Sequence, residues 1–311
     1  MRSGCVLIVL VVGIYGCVPR PAVPNAKADL VAAERRRQYE RAAVAWFENW
    51  TRLARVGSRL LVANANLCTD ASRFLGWTAL RQDDLPSLFA DDEDHAEYLR
   101  VAVADRFLIG DTTKVIHVVS SSPAAQAGVR AGDLILSRAT ASAGQPMEVT
   151  LLRNGQRHAI TISYARRCPF LLSVLESDEV VALADGSTIQ VTTGMLRFAE
   201  SDEDLAAVLS HELAHNLLAY HVAHLATMRY ELEADYVAVY LAARGGFEIS
   251  GTAEFMRRWG ASSPREIDRG RNHPGTAERV VRIEAAVREV EAKQRRGEDL
   301  VPDGLRLTAG R

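Results

Sequence analysis

The string His211-Glu212-Leu213-Ala214-His215 constrains the local structure of this 311-residue chain more than any other feature. Histidines four residues apart lie about 40° apart around an α-helix and about 6 Å apart along it, so both can reach one metal ion. Glu212 is offset by about 100° and can contact a water molecule on that ion without binding the ion itself. The spacing therefore predicts a helix that carries two metal ligands.

The surrounding pattern predicts where this helix and its neighbours begin and end. Ser201–Asp204 is similar to a capping box, and the apolar spacing then continues to about Tyr220. A second helix is predicted from about Met228 to Arg244, where two glycines follow it, and a third from about Ala277 to Arg295.

The second helix offers a third ligand. A hydrolytic zinc site takes three protein ligands and keeps one position for water. Glu231 begins the helix, and Asp235 lies one turn later on the same face, where it could hydrogen-bond a ligand histidine. Taken alone, this segment would be better interpreted as an ordinary acidic helix face.

His221 provides a rival third ligand, at the HExxHxxGxxH spacing of the metzincin peptidases. Those enzymes need a glycine at the position that Leu218 occupies here. If the helix continues, His221 points about 240° around from His215 and cannot face the same ion. This geometry favours Glu231.

Four segments together resemble the gluzincin metallopeptidase family that includes bacterial HtpX and the CAAX prenyl protease, and most closely its exported lipoprotein members. The segments are DGSTIQVTTGML (185–196), AAVLSHELAHN (206–216), ELEAD (231–235) and HPGTAERVVRI (273–283). The resemblance covers about residues 178–290. It implies that His211, His215 and Glu231 bind one zinc ion per chain and that Glu212 is the catalytic base.

The same resemblance extends to residues around the ligands. His273 precedes a rigid proline and is expected to assist at the transition state by donating to the developing oxyanion. Asp235 and Arg279 are expected beside the metal ligands, outside direct contact with the ion. The transmembrane helices of HtpX and the prenyl protease have no counterpart here, which argues against prenylated or membrane-embedded substrates.

A strand before the zinc helix is predicted to receive the substrate. The stretch TIQVTT (188–193) alternates polar and apolar residues, and we expect it to be an edge strand to which an extended polypeptide adds. Backbone pairing of this kind implies loose sequence preference and extended or unfolded substrates. The predicted contact residues are Thr188, Ile189, Gln190, Val191 and Thr192.

A second signature precedes the zinc region. Residues 122–136 read SPAAQAGVRAGDLIL and resemble the SPAxxAGxxxGDxI pattern of PDZ domains, over about residues 104–166. Asn154-Gly155 predicts a tight hairpin within this region. Only Ser137–Met147 stands where such domains usually carry the helix that walls their peptide groove. The PDZ-like region could therefore be a structural spacer or a domain that binds substrate peptides, and the two alternatives are equal.

The N-terminus resembles a lipoprotein signal. An apolar run follows Arg2 and ends at Ile14-Tyr15-Gly16-Cys17, similar to a lipobox in which Cys17 is acylated. A simple signal peptide or an uncleaved anchor is the alternative. Val18 is not the aspartate that favours inner-membrane retention in enteric bacteria, so we expect the bacterial cell envelope, at the outer membrane facing the periplasm.

Two cysteines remain after the signal and the lipid site are set aside. Cys68 and Cys168 allow a single intramolecular disulfide, which an oxidising compartment favours. Two separate buried thiols are the alternative.

The predicted architecture is α+β, with a mainly helical gluzincin peptidase domain containing a small edge-strand sheet, and a small β-rich PDZ-like domain. The predicted segments are a signal peptide (1–16), a tether and N-terminal helical region (17–103), the PDZ-like domain (104–166) and the peptidase domain (167–311). A net charge of −2 gives no basic field for nucleic acid.

The predicted function is a membrane-tethered, zinc-dependent endopeptidase that hydrolyses extended or misfolded envelope proteins. Its partners would be polypeptide substrates and, through the lipid, the membrane. The alternative is a catalytically latent, zinc-containing adaptor or chaperone that acts through the PDZ-like region, and the intact Glu212 argues against it.

Overall fold

The computed structural model describes residues 23–85, 96–138, 145–218, 228–268 and 274–302. These ranges form a mixed structure of helices and several small sheets. The helices are α1 (Ala28–Ala63), α2 (Ala96–Phe107), α3 (Pro123–Gln126), α4 (Thr193–Phe198), α5 (Asp202–Leu217), α6 (Met228–Arg244), α7 (Thr252–Ser262) and α8 (Thr276–Arg296). The strands are β1 (Ser72–Phe74), β2 (Trp77–Leu80), β3 (Lys114–Val118), β4 (Leu134–Arg138), β5 (Met147–Arg153), β6 (Gln156–Ile162), β7 (Ala165–Arg167), β8 (Leu171–Leu175), β9 (Ala182–Ala184) and β10 (Thr188–Thr192).

Helix α1 is a single helix of 36 residues where the sequence predicted one or two. Its first turns are exposed, whereas its second half buries apolar residues that include Leu53, Leu60 and Leu61. Gly57 lets the helix approach β8 closely, because a Cβ atom there would lie 2.5 Å from a methyl carbon of Leu172. This half of α1 therefore forms one wall of the main core, with α5 and α6.

The sheet beside α5 has the order β8-β10-β9. Strand β10 pairs in parallel with β8 and antiparallel with β9, so the prediction that Thr188–Thr192 is an edge strand is wrong. Ile189 and Val191 are almost fully buried, as expected for the central strand of a sheet packed on helices. Strand β9 is an edge strand in the described structure and packs against α5.

Helix α5 begins at the predicted capping box, where the Ser201 side chain accepts from the Asp204 N–H and the Asp204 carboxylate accepts from the Ser201 N–H. The helix ends at Leu217 rather than at Tyr220, and residues 219–227 lie outside the described structure. Helices α6 and α8 have nearly the predicted bounds, whereas α7 was not predicted.

A second sheet has five antiparallel strands in the order β2-β3-β4-β5-β6. Its first strand, Trp77–Leu80, lies in the segment predicted as helical, so the sheet begins before the predicted boundary at residue 104. The β5–β6 hairpin turns at Asn154 and Gly155, both with positive φ, as the Asn-Gly pair predicted.

The disulfide Cys68–Cys168 joins the segment after α1 to the chain just before β8, with the Cα atoms 5.4 Å apart. The segments predicted as signal peptide and lipid site, including Cys17, lie outside the described residues. Within the described ranges, no helix has the length and apolar character needed to cross a membrane.

Candidate metal centre

Helix α5 brings its two histidines together on one face. The Nε2 atoms of His211 and His215 lie 3.0 Å apart, and the two rings are perpendicular. Both nitrogens therefore point at the same small volume. The α-helix makes this possible, because it places residues four apart on the same face.

Helix α6 packs against α5 and adds a carboxylate to this volume. Glu231 Oε2 lies 3.2 Å from His211 Nε2, and Glu231 Oε1 lies 3.5 Å from His215 Nε2. Glu231 is only 7 % exposed. In the described part of the chain, these three residues are the group of potential metal ligands that converges, with ligand atoms all within 4.8 Å of one another.

The potential ligand atoms of the three residues have separations close to those that zinc requires. Zinc binds histidine nitrogen and carboxylate oxygen at about 2.0–2.2 Å in a tetrahedral arrangement, which places ligand atoms about 3.3 Å apart. The two Nε2 atoms are 3.0 Å apart, and each lies 3.2–3.5 Å from one of the two Glu231 carboxylate oxygens, so all three separations are close to this value. Two histidines and one carboxylate also leave the fourth position to water, as in hydrolytic zinc sites. The residues therefore fit one zinc ion.

Asp235 and Arg279 lie directly behind the ligands. Asp235 Oδ1 is 3.0 Å from His211 Nδ1, the ring nitrogen that faces away from Glu231. The same carboxylate accepts two hydrogen bonds of 2.7 Å from the Arg279 guanidinium, which comes from α8. A chain of contacts thus runs from α8 through α6 to the histidine of α5, and it orients the His211 ring.

The electrostatics of the cluster favour positive charge at the ligand atoms. Burial would lower the pKa of His211, but the nearby Asp235 and Glu231 carboxylates raise it to about 10. Burial would raise the pKa of Glu231, yet His211 and His215 hold it well below its usual range. For Asp235, Arg279 and His211 outweigh burial and lower the pKa to about 2. Because the carboxylates around His211 stabilise a bound proton this strongly, the same volume is also electrostatically favourable for a metal cation.

Glu212 has a different environment from the carboxylate ligand. It is 8 % exposed, and burial raises its pKa, while the charges of His211 and His215 offset only part of this effect. A carboxylate with a raised pKa beside a metal site is a better proton acceptor than an ordinary glutamate.

Two of the sequence-predicted site features are not described by the structure. His273 and His221 both lie outside the described residues, so their positions relative to the ligands stay predictions. Pro274, which follows His273, is buried, and Arg279 lies one turn into the helix that comes next.

Asn216, which was not predicted as a site residue from the sequence, connects α5 to the small sheet. It follows His215 directly and is 6 % exposed. Its Oδ1 accepts a 2.7 Å hydrogen bond from the Gly186 N–H in the turn between β9 and β10. The apolar spacing of α5 predicts that position 216 is buried. A polar residue at such a position was the sequence signal that could have identified Asn216.

Comparison with known proteins gives one family. The model of peptidase family M48 matches residues 150–230, a stretch that contains His211, Glu212 and His215 and ends one residue before Glu231. The match supports this family and thus a metallopeptidase. Its members typically depend on zinc, which agrees with the donor set of the cluster.

Comparisons with solved structures and with curated proteins do not extend this family assignment. A solved structure described as "HtrA-type protease AlgW with decapeptide" is 24 % identical over 32 % of this chain and 30 % of that chain, with a TM-score of 0.22. At this TM-score the similarity does not define the fold. No curated protein matches the chain.

Proposed function

We propose that the protein is a zinc-dependent endopeptidase, held at a bacterial envelope membrane by a lipid on Cys17, that cleaves extended or misfolded polypeptides. The observation that supports this most directly is the convergence of His211, His215 and Glu231 at zinc spacing, with Glu212 on the same helix. The lipid anchor, the envelope location and the substrate class come from the sequence pattern.

The residues of the cluster divide the chemistry among them. His211, His215 and Glu231 would hold the ion, and Asp235 would keep the His211 ring oriented. When bound, zinc lowers the pKa of water and polarises the scissile carbonyl. Glu212 would accept the proton of the attacking water and deliver it to the leaving amine. His273 is proposed as a donor to the oxyanion.

The substrate would pair with β9 rather than with β10. Since β10 is hydrogen-bonded on both sides, it has no free edge, whereas β9 pairs on one side only within the described residues. Strand β9 also packs against the zinc helix, while α1 packs against β8. Backbone pairing along β9 would hold an extended chain without demanding a particular sequence.

The test compares the wild type with Glu212→Gln, both as full-length protein purified in detergent. We expect about one zinc per chain in both and cleavage of unfolded casein only by the wild type. Glu233→Gln is the matched control, because Glu233 lies on α6 but points away to an exposed ion pair with Arg229. This variant should keep both zinc and activity.

Two results would contradict the proposal. Absence of zinc in both proteins would refute the assignment of the ligands. Zinc in both with cleavage in neither would instead favour the latent adaptor or chaperone.

A further inference from the structure

The β9–β10 turn is stabilised by hydrogen bonds among its own residues. Asp185 Oδ1 accepts hydrogen bonds from the Ser187 N–H, the Ser187 hydroxyl and the Thr188 N–H at 2.7–2.8 Å. Gly186 adopts a φ of +93°, a conformation that favours glycine. These hydrogen bonds all lie within the turn itself.

Asn216 makes a different kind of contact, because it joins the turn to another element. Its Oδ1 accepts from Gly186 N at 2.7 Å, and its Nδ2 lies 3.5 Å from Thr188 O. The asparagine is buried, and burying an amide is unfavourable unless such contacts satisfy it. The interaction therefore fixes where the turn sits relative to α5.

The position of Asn216 on the helix links this contact to the metal ligands. Successive residues point about 100° apart around an α-helix, so His215 can face Glu231 of α6 while Asn216 faces the sheet. The last ligand of α5 and the tether of the β9–β10 turn are thus adjacent along one rigid backbone.

We propose that Asn216 is a positioning residue that holds the β9 edge in place beside α5, so that an extended polypeptide can bind by pairing with β9. The inference rests on the proposed endopeptidase function. Asn216 does not touch the metal, and it acts on the substrate through the Gly186 backbone.

Two variants of Asn216 distinguish the effect of the hydrogen bond to Gly186 from the effect of the shape of the side chain. Asn216→Leu keeps the same branched arrangement of side-chain heavy atoms but removes the acceptor, whereas Asn216→Asp keeps an oxygen that can accept from Gly186. Asn64→Ala is the matched control, since Asn64 is also a buried asparagine that bridges two helices, through the Leu241 carbonyl and the Arg244 side chain, away from the site. It should lower stability without changing KM.

The first measurement is the KM and kcat of full-length protein in detergent with unfolded casein. Asn216→Leu should raise KM about tenfold, a factor that corresponds to about 1.4 kcal/mol. Its kcat should stay within about twofold, the pattern expected when ground-state and transition-state binding are lost equally. Asn216→Asp should keep a KM within about threefold of the wild type, and zinc should remain near one per chain in all variants.

Two further measurements do not depend on turnover. In the Glu212→Gln background, labelled casein should bind about tenfold more weakly when Asn216→Leu is added. Hydrogen exchange of the Gly186 amide should be faster in Asn216→Leu, which removes its acceptor, and unchanged in Asn64→Ala. These readouts test Asn216 even if the wild type does not cleave casein, a result that would refute the proposed function separately.

The inference is overturned if Asn216→Leu has the KM and casein affinity of the wild type. It is also overturned if this variant loses zinc, or if kcat falls while KM does not change, because the asparagine would then act on the ligands or the chemistry. Equal defects in Asn216→Leu and Asn216→Asp would exclude the Gly186 hydrogen bond as the cause.

Discussion

Arg279 donates two hydrogen bonds of 2.7 Å to Asp235, and neither side chain is more than 7 % exposed. The arginine comes from α8, and the aspartate from α6 contacts a histidine of α5. Three helices that are separate in the sequence thus meet at one carboxylate. Its second interaction, with His211 Nδ1, makes that carboxylate part of the candidate metal centre as well as of the core.

Asp235→Asn should weaken zinc binding by about 10–100-fold, the usual effect of removing a carboxylate that orients a ligand histidine. The amide is neutral and cannot hold the His211 ring and the Arg279 guanidinium in the same way. Competition between the protein and a chelator of known affinity would measure the change. Glu233→Gln on the same helix should bind zinc like the wild type, and equal affinity in both variants would show that Asp235 has no part in the site.

The disulfide is expected to be a large contributor to stability. Cys68 and Cys168 are 100 residues apart, and closing a loop of that length contributes about 4–5 kcal/mol in the chain-entropy model. The double variant Cys68→Ser/Cys168→Ser should therefore unfold at a clearly lower urea concentration than the wild type. A reductant should lower the stability of the wild type towards that of the double variant and leave the double variant unchanged. No effect of the reductant on either protein would contradict this prediction.

The cluster of potential metal ligands was predictable because its geometry is local. The spacing of His211 and His215 needs only a helix, and the ELEAD segment supplies Glu231 and Asp235 on one face of the next helix. The family resemblance then indicated which of these acidic residues faces the ion. Asn216 was not predicted, because its hydrogen-bond partner is a backbone amide in a turn 30 residues away in the sequence.

Strand pairing was less predictable, since it depends on contacts between distant segments. The alternation in 188–192 indicates a strand, but nothing local shows that β8 and β9 pair with it from both sides. Strand β9 has only three residues, Ala182–Ala184, which carry no alternating pattern. In the same way, nothing local to Trp77–Leu80 shows that this segment pairs with β3, and the five-stranded sheet includes a strand from before residue 104.

Gly194 is a position where the backbone comes too close for a side chain. A Cβ atom there would lie 2.3 Å from the Glu179 carbonyl oxygen and 2.4 Å from that of Asp178. Gly194→Ala should therefore destabilise the fold by about 1–3 kcal/mol, as overpacking usually does. Gly110→Ala is the control, since nothing lies within 4 Å of its Cβ position and its φ is not positive. Urea unfolding of both variants would measure the difference, and equal stability would disprove the close approach.

Asp133 should make the stability of the five-stranded sheet sensitive to acid. Burial would raise the pKa of Asp133, but hydrogen bonds from the Arg153 guanidinium and the Arg130 N–H outweigh burial and lower it below its usual range. The folded protein therefore binds this proton less readily than the unfolded chain, whose aspartate has a pKa near 3.8. The contribution of Asp133 is then complete above that value and is lost as the pH falls through the lower pKa of the folded state.

Asp133→Asn should cost about 2 kcal/mol near neutral pH, below the usual range for breaking a fully buried ion pair because Arg153 is partly exposed. As the pH falls below about 4, the wild type should lose stability more steeply than the variant, so the two should converge. Unfolding free energies measured between about pH 2.5 and 7 would show this. Asp178→Asn, which removes a fully exposed carboxylate paired with Arg197, should follow the wild type throughout. Parallel curves for the wild type and Asp133→Asn would mean that the carboxylate has the same pKa folded and unfolded.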